Sequence, residues 1–248
     1  MRLRLLLAFF AWAFGLAAAE PSRAEPLVAD LSDHLVRITT GFTGAQVLLF
    51  GAVEGPGKIV VLVQGPPETV VVRRKDRVAG IWMNVDEATF EQAPAFYKLL
   101  ASEPLGDWLP LHTREDYGIG VEYLDLAPDE SIGAADAADF RDALIRQKRA
   151  RGHYGAYPGK VTLLGSRLFR ADVFFPANLP PGNYNITVLL IRDGEVASAQ
   201  QTPLFVSKAG LGADVYRIAH EQPALYGIAA IVIAVLAGLA GNAVFRKA

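Results

Sequence analysis

The C-terminal end of the chain carries the feature that most limits its structure. Residues 224–244 form a run of twenty-one amino acids without a charge, and Arg246 and Lys247 follow it. A helix of that length spans about 30 Å, the thickness of the hydrocarbon core of a bilayer. The sequence therefore predicts a transmembrane helix at 224–244 and a short stub at 245–248. Because cations favour the cytoplasmic side, we expect the stub in the cytoplasm and the preceding domain outside it.

The N-terminal end has the pattern of a secretory signal peptide. Arg2 and Arg4 precede an apolar stretch, residues 5–18, that is short for a membrane span. Small residues before Glu20 predict removal of residues 1–19, and a second site predicts cleavage before Glu25. The mature protein would then be a single-pass protein of the bacterial inner membrane with a periplasmic N-terminus. The alternative is an uncleaved N-terminal anchor, which would give two spans.

The exported part is mildly acidic and lacks cysteine. Up to Pro223 it holds all 26 acidic residues and 20 of the 24 Lys and Arg residues, so its formal charge is −6. This charge gives no electrostatic case for binding nucleic acid. The absence of cysteine from the sequence excludes disulfides, thiol catalysis and cysteine-based metal sites.

Short runs rich in Val, Ile and Leu predict that residues 25–208 are mainly β. In the first half the runs are separated by turns with Gly and Pro, and they cover 35–39, 46–52, 58–64, 69–74 and 78–85. The run Ile59–Val63 has no polar face and predicts a central strand. This spacing is typical of an antiparallel sandwich. We therefore expect an immunoglobulin-like β-sandwich with helical insertions, in one domain rather than two.

Helices are predicted at three places besides the span. Pro94–Ala101 begins with a proline that suits the first helical position. Ala135–Arg151 has Asp136 as a possible N-cap and several cations near its end. Its expected buried face consists of Phe140, Ala143, Leu144 and Gln147. Residues 209–222 predict a juxtamembrane helix whose apolar face would carry Leu211, Val215 and Ile218.

The last part of the domain returns to strands. Alternating apolar and polar residues predict strands at 167–175 and 184–191, and a returning strand at 197–206 would complete a three-strand meander. Asp193 and Gly194 lie between the last two strands. Because both residue types tolerate positive φ angles, this pair predicts a type I′ hairpin turn.

One charge cluster is a candidate binding site. Arg73, Arg74, Lys75 and Arg77 surround Asp76 within five residues of an otherwise acidic domain. A hairpin tip of this composition can bind an anion, an acidic partner loop or lipid headgroups. The alternative is a solvated turn whose charges protect a sheet edge from pairing.

The predicted span carries a second candidate, a stripe of small residues. Ala230, Ala234 and Gly238 recur every four residues. Small residues at this spacing allow two helix backbones to approach closely in lipid. The alternative is that alanine and glycine are simply common in membrane spans.

The sequence contains no pattern that predicts catalysis, a metal site or a cofactor. His34, His112, His153 and His220 have none of the spacings of a local metal motif. No nucleophile elbow, Walker A loop or dinucleotide-binding motif occurs. We therefore expect a protein that is not an enzyme and that holds no cofactor.

Several stretches resemble a known family. They are Val36–Thr39 with Phe42–Ala45, then Arg73–Trp82, and Leu204–Gly210 leading to Leu225–Gly227. Together they resemble the uncharacterised putative transmembrane proteins of alphaproteobacteria across essentially the whole mature chain. The resemblance brings no catalytic residues. It implies a Gram-negative inner-membrane protein facing the periplasm. Because the family's genes often lie beside a permease resembling sulfite exporters, it also implies an accessory to a transporter.

Two functions follow as hypotheses. The first is a non-enzymatic inner-membrane protein whose periplasmic domain binds another membrane protein, such as a permease. The alternative is a periplasmic ligand-binding or sensing module anchored to the membrane. The short stub at 245–248 argues against direct signalling by this chain.

Overall fold

The computed structural model describes residues 27–129, 132–210, 215–216 and 219–245. The predicted signal peptide at 1–19 and residues 246–248 of the stub lie outside the described residues. The helices are α1 (Leu111–Tyr117), α2 (Ala134–Ala150) and α3 (Pro223–Phe245), with a 3-10 helix at Val121–Tyr123. The strands are β1 (Leu27–Leu31), β2 (Leu35–Ile38), β3 (Gly44–Val53), β4 (Lys58–Gln64), β5 (Pro67–Val78), β6 (Ile81–Pro94), β7 (Tyr97–Ala101), β8 (Gly159–Leu164), β9 (Leu168–Pro176), β10 (Gly182–Arg192) and β11 (Glu195–Lys208).

Nine of these strands form one curled sheet in the order β1-β3-β9-β8-β7-β4-β10-β11-β2. Neighbours are antiparallel except for the parallel pairs β7–β8 and β11–β2. The curl brings β1 beside β11. The two strands are connected there by the Gln200 side chain, which accepts a hydrogen bond from the Ala29 amide at 2.6 Å and donates one to the Ala29 carbonyl at 2.8 Å. Because strands outnumber helices among the described residues, the prediction of a mainly β protein is confirmed.

The inner side of the curled sheet holds the main hydrophobic core. Strands β1, β3 and β9 contribute from one part of the sheet, and β4, β10 and β11 from the other. Phe96, Phe175 and Tyr184 pack together in this core with ring centroids 5.6 to 5.9 Å apart. Such tilted and edge-on aromatic pairs stabilise a core beyond the area that they bury.

The prediction that Ile59–Val63 forms a central strand is confirmed. These residues belong to β4, which lies between β7 and β10. Alternate side chains enter the main core, while Val60 and Leu62 enter a second core on the outer side. The second core is covered by α2, by residues 109–126 and by part of the β5–β6 hairpin.

The strands β5 and β6 form a long hairpin outside the nine-stranded sheet. Its first half packs on the second core, where Val72, Ala88 and Phe90 are buried. An ion pair holds the base of the hairpin. It joins the buried ammonium of Lys148 on α2 to the carboxylate of Glu68 on β5. The base of the hairpin is thereby fixed to the domain.

The prediction of a helix at Pro94–Ala101 is wrong. Pro94 ends β6, and β7 begins at Tyr97. Leu99 enters the second core and Leu100 the main core, which is the two-residue period of a strand. A segment beside β4 must present apolar groups to both cores, and only an extended backbone does so.

The predicted three-strand meander does not form. The strands β10 and β11 pair as expected, but β9 pairs with β3 and β8 in another part of the curled sheet. Alternation along a strand predicts which side chains are buried, but it does not identify the neighbouring strand.

The predicted helix at Ala135–Arg151 is confirmed as α2, but two details differ. Its N-cap is Gly133 rather than Asp136, which lies in the first turn. Its buried face is also rotated, so that Lys148 is buried and Gln147 is exposed.

The β10–β11 connection is a type I′ turn, as predicted. The φ angles are 52° for Asp193 and 84° for Gly194, and the flanking residues Arg192 and Glu195 are paired. Thr113 of α1 donates a hydrogen bond to the Gly194 carbonyl at 2.7 Å.

The helix α3 includes a stretch that is long and apolar enough to cross a membrane. Pro223–Asn242 has 20 residues and a mean hydropathy of 2.3, and none of it is buried by the protein. It overlaps the predicted span at 224–244. In the juxtamembrane segment 209–222, residues 215–216 and 219–221 are helical. Of its predicted apolar face, Val215 is exposed, while Leu211 and Ile218 lie outside the described residues.

Candidate functional site

The predicted basic cluster lies on β5, close to the end of the hairpin but not at its turn. The turn consists of Ala79 and Gly80, with φ angles of 51° and 87°, between the paired residues Val78 and Ile81. The predicted strand at 78–85 is therefore wrong at its start. We call residues 73–87 the distal hairpin. Every residue in it except Arg74 is exposed.

Arg74 is bound to its own chain. Its guanidinium group lies 2.8 Å from the Asp136 carboxylate and 3.6 Å from that of Asp139, and it covers the Phe140 ring at 4.7 Å. The hydrogen bond with Asp136 raises the pKa of Arg74 above its ordinary value. Arg74 thus joins the hairpin to α2 and is the member of the predicted cluster least available to a partner.

The other three cations share the opposite face of the hairpin. Alternation along β5 places Arg73, Lys75 and Arg77 on the side away from Arg74. Arg73 pairs with Glu87 at 3.0 Å. Within the described residues, Lys75 and Arg77 have no carboxylate within 4.0 Å. These two cations are the ones that an external anion can reach.

Sequence reasoning did not single out the apolar end of the distal hairpin. Five apolar side chains there are 42% to 68% exposed: Val78, Ile81, Trp82, Met83 and Val85. The apolar residues are visible in the sequence as a run that directly follows the basic cluster. Large apolar residues are more often buried, however, and periodicity cannot tell an exposed strand from a buried one. The distal hairpin therefore combines an apolar end with accessible cations.

A second candidate surface lies on the outer side of the curled sheet. Val28, Ala52, Leu168 and Leu164 are paired neighbours across β1, β3, β9 and β8, so they form one apolar row. With Phe50 they line a groove of about 460 Å³. We call these five residues the outer apolar face. Val28 and Leu168 are each 53% exposed, so the row faces solvent.

A third feature is a cleft of about 630 Å³ beside the β10–β11 turn, which we call the Trp108 cleft. The Lys58 ammonium lies 4.4 Å from the centre of the Trp108 ring and pairs with Glu103 at 2.8 Å. Arg192, which also lines the cleft, donates a hydrogen bond to the Pro56 carbonyl at 2.8 Å. Three charged groups of this cleft, those of Lys58, Glu103 and Arg192, thus already have partners within the chain.

The predicted small-residue stripe lies on an uncovered side of α3. Ala230, Ala234 and Gly238 are exposed. A methyl group added at Gly238 would meet no atom within 4 Å. The stripe is therefore accessible to another helix, and its role in helix packing stays a prediction.

Comparison with known proteins agrees with the exposed apolar helix. The family described as "Putative transmembrane protein (Alph_Pro_TM)" matches residues 26–247. The chain belongs to this family. The resemblance seen in the sequence is thereby confirmed, and the chain is a membrane protein. Among the residues that the structure describes, one helix, at the C-terminal end, could span a membrane. No curated protein matches the sequence.

The hydroxyl groups of three buried tyrosines, Tyr97, Tyr154 and Tyr184, donate hydrogen bonds to backbone carbonyls of the chain. Burial raises the pKa of Tyr97, Tyr154 and Tyr184. The hydroxyl of Tyr97, for example, donates a hydrogen bond to the Gly118 carbonyl at 2.7 Å. Among the described residues, no three His, Cys, Asp or Glu side chains are grouped so that they could hold a metal ion. The arrangement offers contact surfaces, namely the distal hairpin, the outer apolar face and the stripe on α3.

Proposed function

We propose that the chain is a non-enzymatic membrane-anchored protein whose exposed domain binds another membrane protein, such as a permease. The outer apolar face carries this proposal. A continuous apolar row across four strands keeps hydrocarbon in contact with water, which is unfavourable until another surface covers it. Contiguous apolar patches on water-exposed domains commonly mark protein contact sites.

The surroundings of the outer apolar face also fit a protein interface. Asp30 and Arg170 line the same groove beside its apolar residues. An apolar centre with polar residues around it is the usual composition of such interfaces. The stripe on α3 would supply a second contact within the bilayer, where small residues permit close helix packing.

The proposed orientation is an exported domain in the periplasm and a C-terminus in the cytoplasm, in the bacterial inner membrane. Arg246 and Lys247 after the span support it, because short cytoplasmic segments are rich in cations. The family match begins at residue 26, after both predicted cleavage sites, which supports removal of a signal peptide. We also interpret the curled sheet as an immunoglobulin-like sandwich, on the ground that its main core packs between β1–β3–β9 and β4–β10–β11.

The test of the proposed function is site-specific photo-cross-linking in intact cells of the full-length chain. A photoreactive residue at position 168, on the outer apolar face, should cross-link to one membrane protein that also co-purifies in stoichiometric amount. Phe50→Ser combined with Leu168→Ser should abolish the co-purification. Tyr157→Ser is the matched control, since this side chain is 86% exposed but lies outside the face. Cross-links only to a second copy of the chain, or equal loss in the control, would reject the proposal.

The contribution of α3 is tested in the same assay. Ala234→Leu with Gly238→Leu keeps the span hydrophobic but adds bulk where another backbone would approach, so co-purification should weaken. Val232→Leu adds bulk on the opposite side of the helix and should have no effect. If the variant with Ala234→Leu and Gly238→Leu retains the partner as fully as Val232→Leu does, the stripe is not part of the interface.

The Trp108 cleft supports the second candidate, a ligand-binding or sensing module. Its volume of about 630 Å³ lies within the range of small-molecule sites. Native mass spectrometry of the purified chain would reveal a retained small molecule. Trp108→Ala should release such a molecule if the cleft binds it.

A further inference from the structure

The apolar end of the distal hairpin is not covered by any described part of the chain. Trp82 and Ile81 are 68% and 66% exposed. Val78 pairs with Ile81, and Trp82 pairs with Arg77 across the hairpin. Because paired residues point to the same face, Trp82 shares its face with Arg77, while the opposite face at this end is formed by Val78 and Ile81.

The cations lie slightly further from the turn than the apolar end. Arg77 and Lys75 are one and three residues from Val78, which is about 3 and 10 Å along an extended strand. They have no carboxylate within 4.0 Å in the described residues, as noted above. Asp76 is the one acid between residues 75 and 85, and its carboxylate accepts a hydrogen bond from the Arg77 amide at 2.6 Å. The accessible charge at the end of the hairpin is therefore positive.

The distal hairpin is supported at its base. Val72 and Ala88, which flank the distal hairpin in the sequence, are buried in the second core. Arg74 connects it to Asp136 on α2 at 2.8 Å. The apolar end is therefore carried by a hairpin whose base is fixed to the domain.

We propose that the distal hairpin docks on the surface of the bilayer that anchors the chain, at anionic phospholipid headgroups. A bilayer presents headgroup phosphates first and hydrocarbon a few ångströms deeper, since the headgroup layer is roughly 5 to 8 Å thick on each side. The hairpin has the complementary order, with Ile81, Val78 and Trp82 at the end and cations behind them. Tryptophan favours this interface, and cations are attracted to anionic headgroups.

The candidate span in α3 tethers the domain that carries the hairpin to the bilayer. Residues 209–222 connect β11 to α3. Fourteen residues span at most about 50 Å when extended, and the helical residues 215–216 and 219–221 shorten this distance. Docking is then an intramolecular event, so that even a weak lipid affinity suffices for it. Together with α3 the hairpin would form a second attachment point and set the orientation of the domain on the membrane. This role is distinct from the proposed function, which rests on the outer apolar face.

The experiment uses the full-length chain reconstituted into vesicles, with Trp82 as its only tryptophan. Trp12→Phe and Trp108→Phe remove the other two. In vesicles of phosphatidylethanolamine and phosphatidylglycerol, phospholipids brominated on their acyl chains should quench Trp82, and aqueous iodide should not. Ile81→Ser with Met83→Ser should abolish the quenching. Lys75→Gln and Arg77→Gln should each lower the ratio of docked to undocked hairpin roughly fivefold, and only when the anionic lipid is present.

Two matched controls decide the outcome. A chain with Trp108 as its only tryptophan should show no quenching by brominated lipid, and Tyr157→Ser should leave the quenching of Trp82 unchanged. The proposal is overturned if Trp82 stays open to iodide in both anionic and phosphatidylcholine vesicles, a result that would point to a protein partner for the hairpin. Equal effects of Tyr157→Ser and of the Ile81 and Met83 substitutions would also overturn it. Failure of this test leaves the cross-linking at position 168 unaffected, so the two proposals are judged separately.

Discussion

At the residue scale, Gly194 is required by two independent constraints. Its φ angle of 84° belongs to the left-handed region, and a β-carbon there would lie 2.8 Å from the Pro110 ring. Gly194→Val should therefore lower the free energy of unfolding by roughly 1 kcal/mol from backbone strain, and by more through the contact with Pro110. Chemical denaturation of the full-length protein measures both effects. Gly165→Val is the matched control, because Gly165 has a φ of 67° and no atom within 4 Å of the added carbon. Equal losses in the two variants would show that Pro110 moves aside without cost.

The second prediction at this scale concerns the ion pair between Lys148 and Glu68. Removing the carboxylate with Glu68→Ala leaves the ammonium of Lys148 buried without its counter-charge, and breaking a buried pair in this way costs about 3 kcal/mol. Because Glu68 is 39% exposed, we expect the loss to be at this value or below it. The double variant Glu68→Gln with Lys148→Met should recover most of the stability, since neither charge then remains. If the double variant is as unstable as Glu68→Ala, the pair is not what holds the base of the hairpin.

These two sites show what a sequence reveals about single residues. The turn at Gly194 was predicted because its signal is local, consisting of two adjacent residues that tolerate positive φ. The burial of Lys148 was missed because its partner is 80 positions away in the sequence. The sequence pattern of the helix is equally compatible with a solvent-exposed cation at the end of α2. Only the tertiary fold brings Glu68 close to Lys148.

At the scale of elements, the β5–β6 hairpin is divided into a packed half and an exposed half. Val72 and Ala88 are buried, whereas the distal hairpin beyond them buries no side chain. Local opening is cheapest where few apolar contacts are lost. Amides of residues 75–84 should therefore exchange with deuterium faster than those of β4, which is buried on both faces. Mass spectrometry of the full-length protein in detergent measures this, and equal protection of β4 and the distal hairpin would contradict it.

Elements with a clear local pattern were predicted well, and those that depend on neighbours were not. The apolar run of β4 and the helical pattern of α2 both matched. Pro94–Ala101 was mistaken for a helix because proline also suits a first helical position, while the requirement that decided its conformation came from the two cores on either side. The pairing of β9 with β3 was not predictable, since more than 100 residues separate these strands.

At the scale of the whole molecule, the sequence located the basic cluster but not the surfaces around it. The sequence identified Arg73, Arg74, Lys75 and Arg77 as candidates. The fold shows that Arg74 is occupied by Asp136 and that an apolar end adjoins the other three. The outer apolar face was invisible in the sequence, because its row joins β1 and β3 to β8 and β9, and more than 100 residues separate these two pairs of strands in the chain. Sequence patterns predict chemistry within a segment, whereas a surface is a property of the assembled sheet.

The last prediction concerns the orientation of the whole chain. Arg246 and Lys247 follow the span, and no charge lies within residues 224–244. Cations near a span favour the cytoplasmic side, so the domain that carries the distal hairpin should be periplasmic. A reporter active only in the periplasm should work when fused after Gly210, on the domain side of the span, and should be silent after Ala248. Replacing both cations with acidic residues should weaken this preference, whereas Arg246→Lys with Lys247→Arg keeps the charge and should not. An active reporter after Ala248 would reverse the topology and place the distal hairpin and the outer apolar face in the cytoplasm.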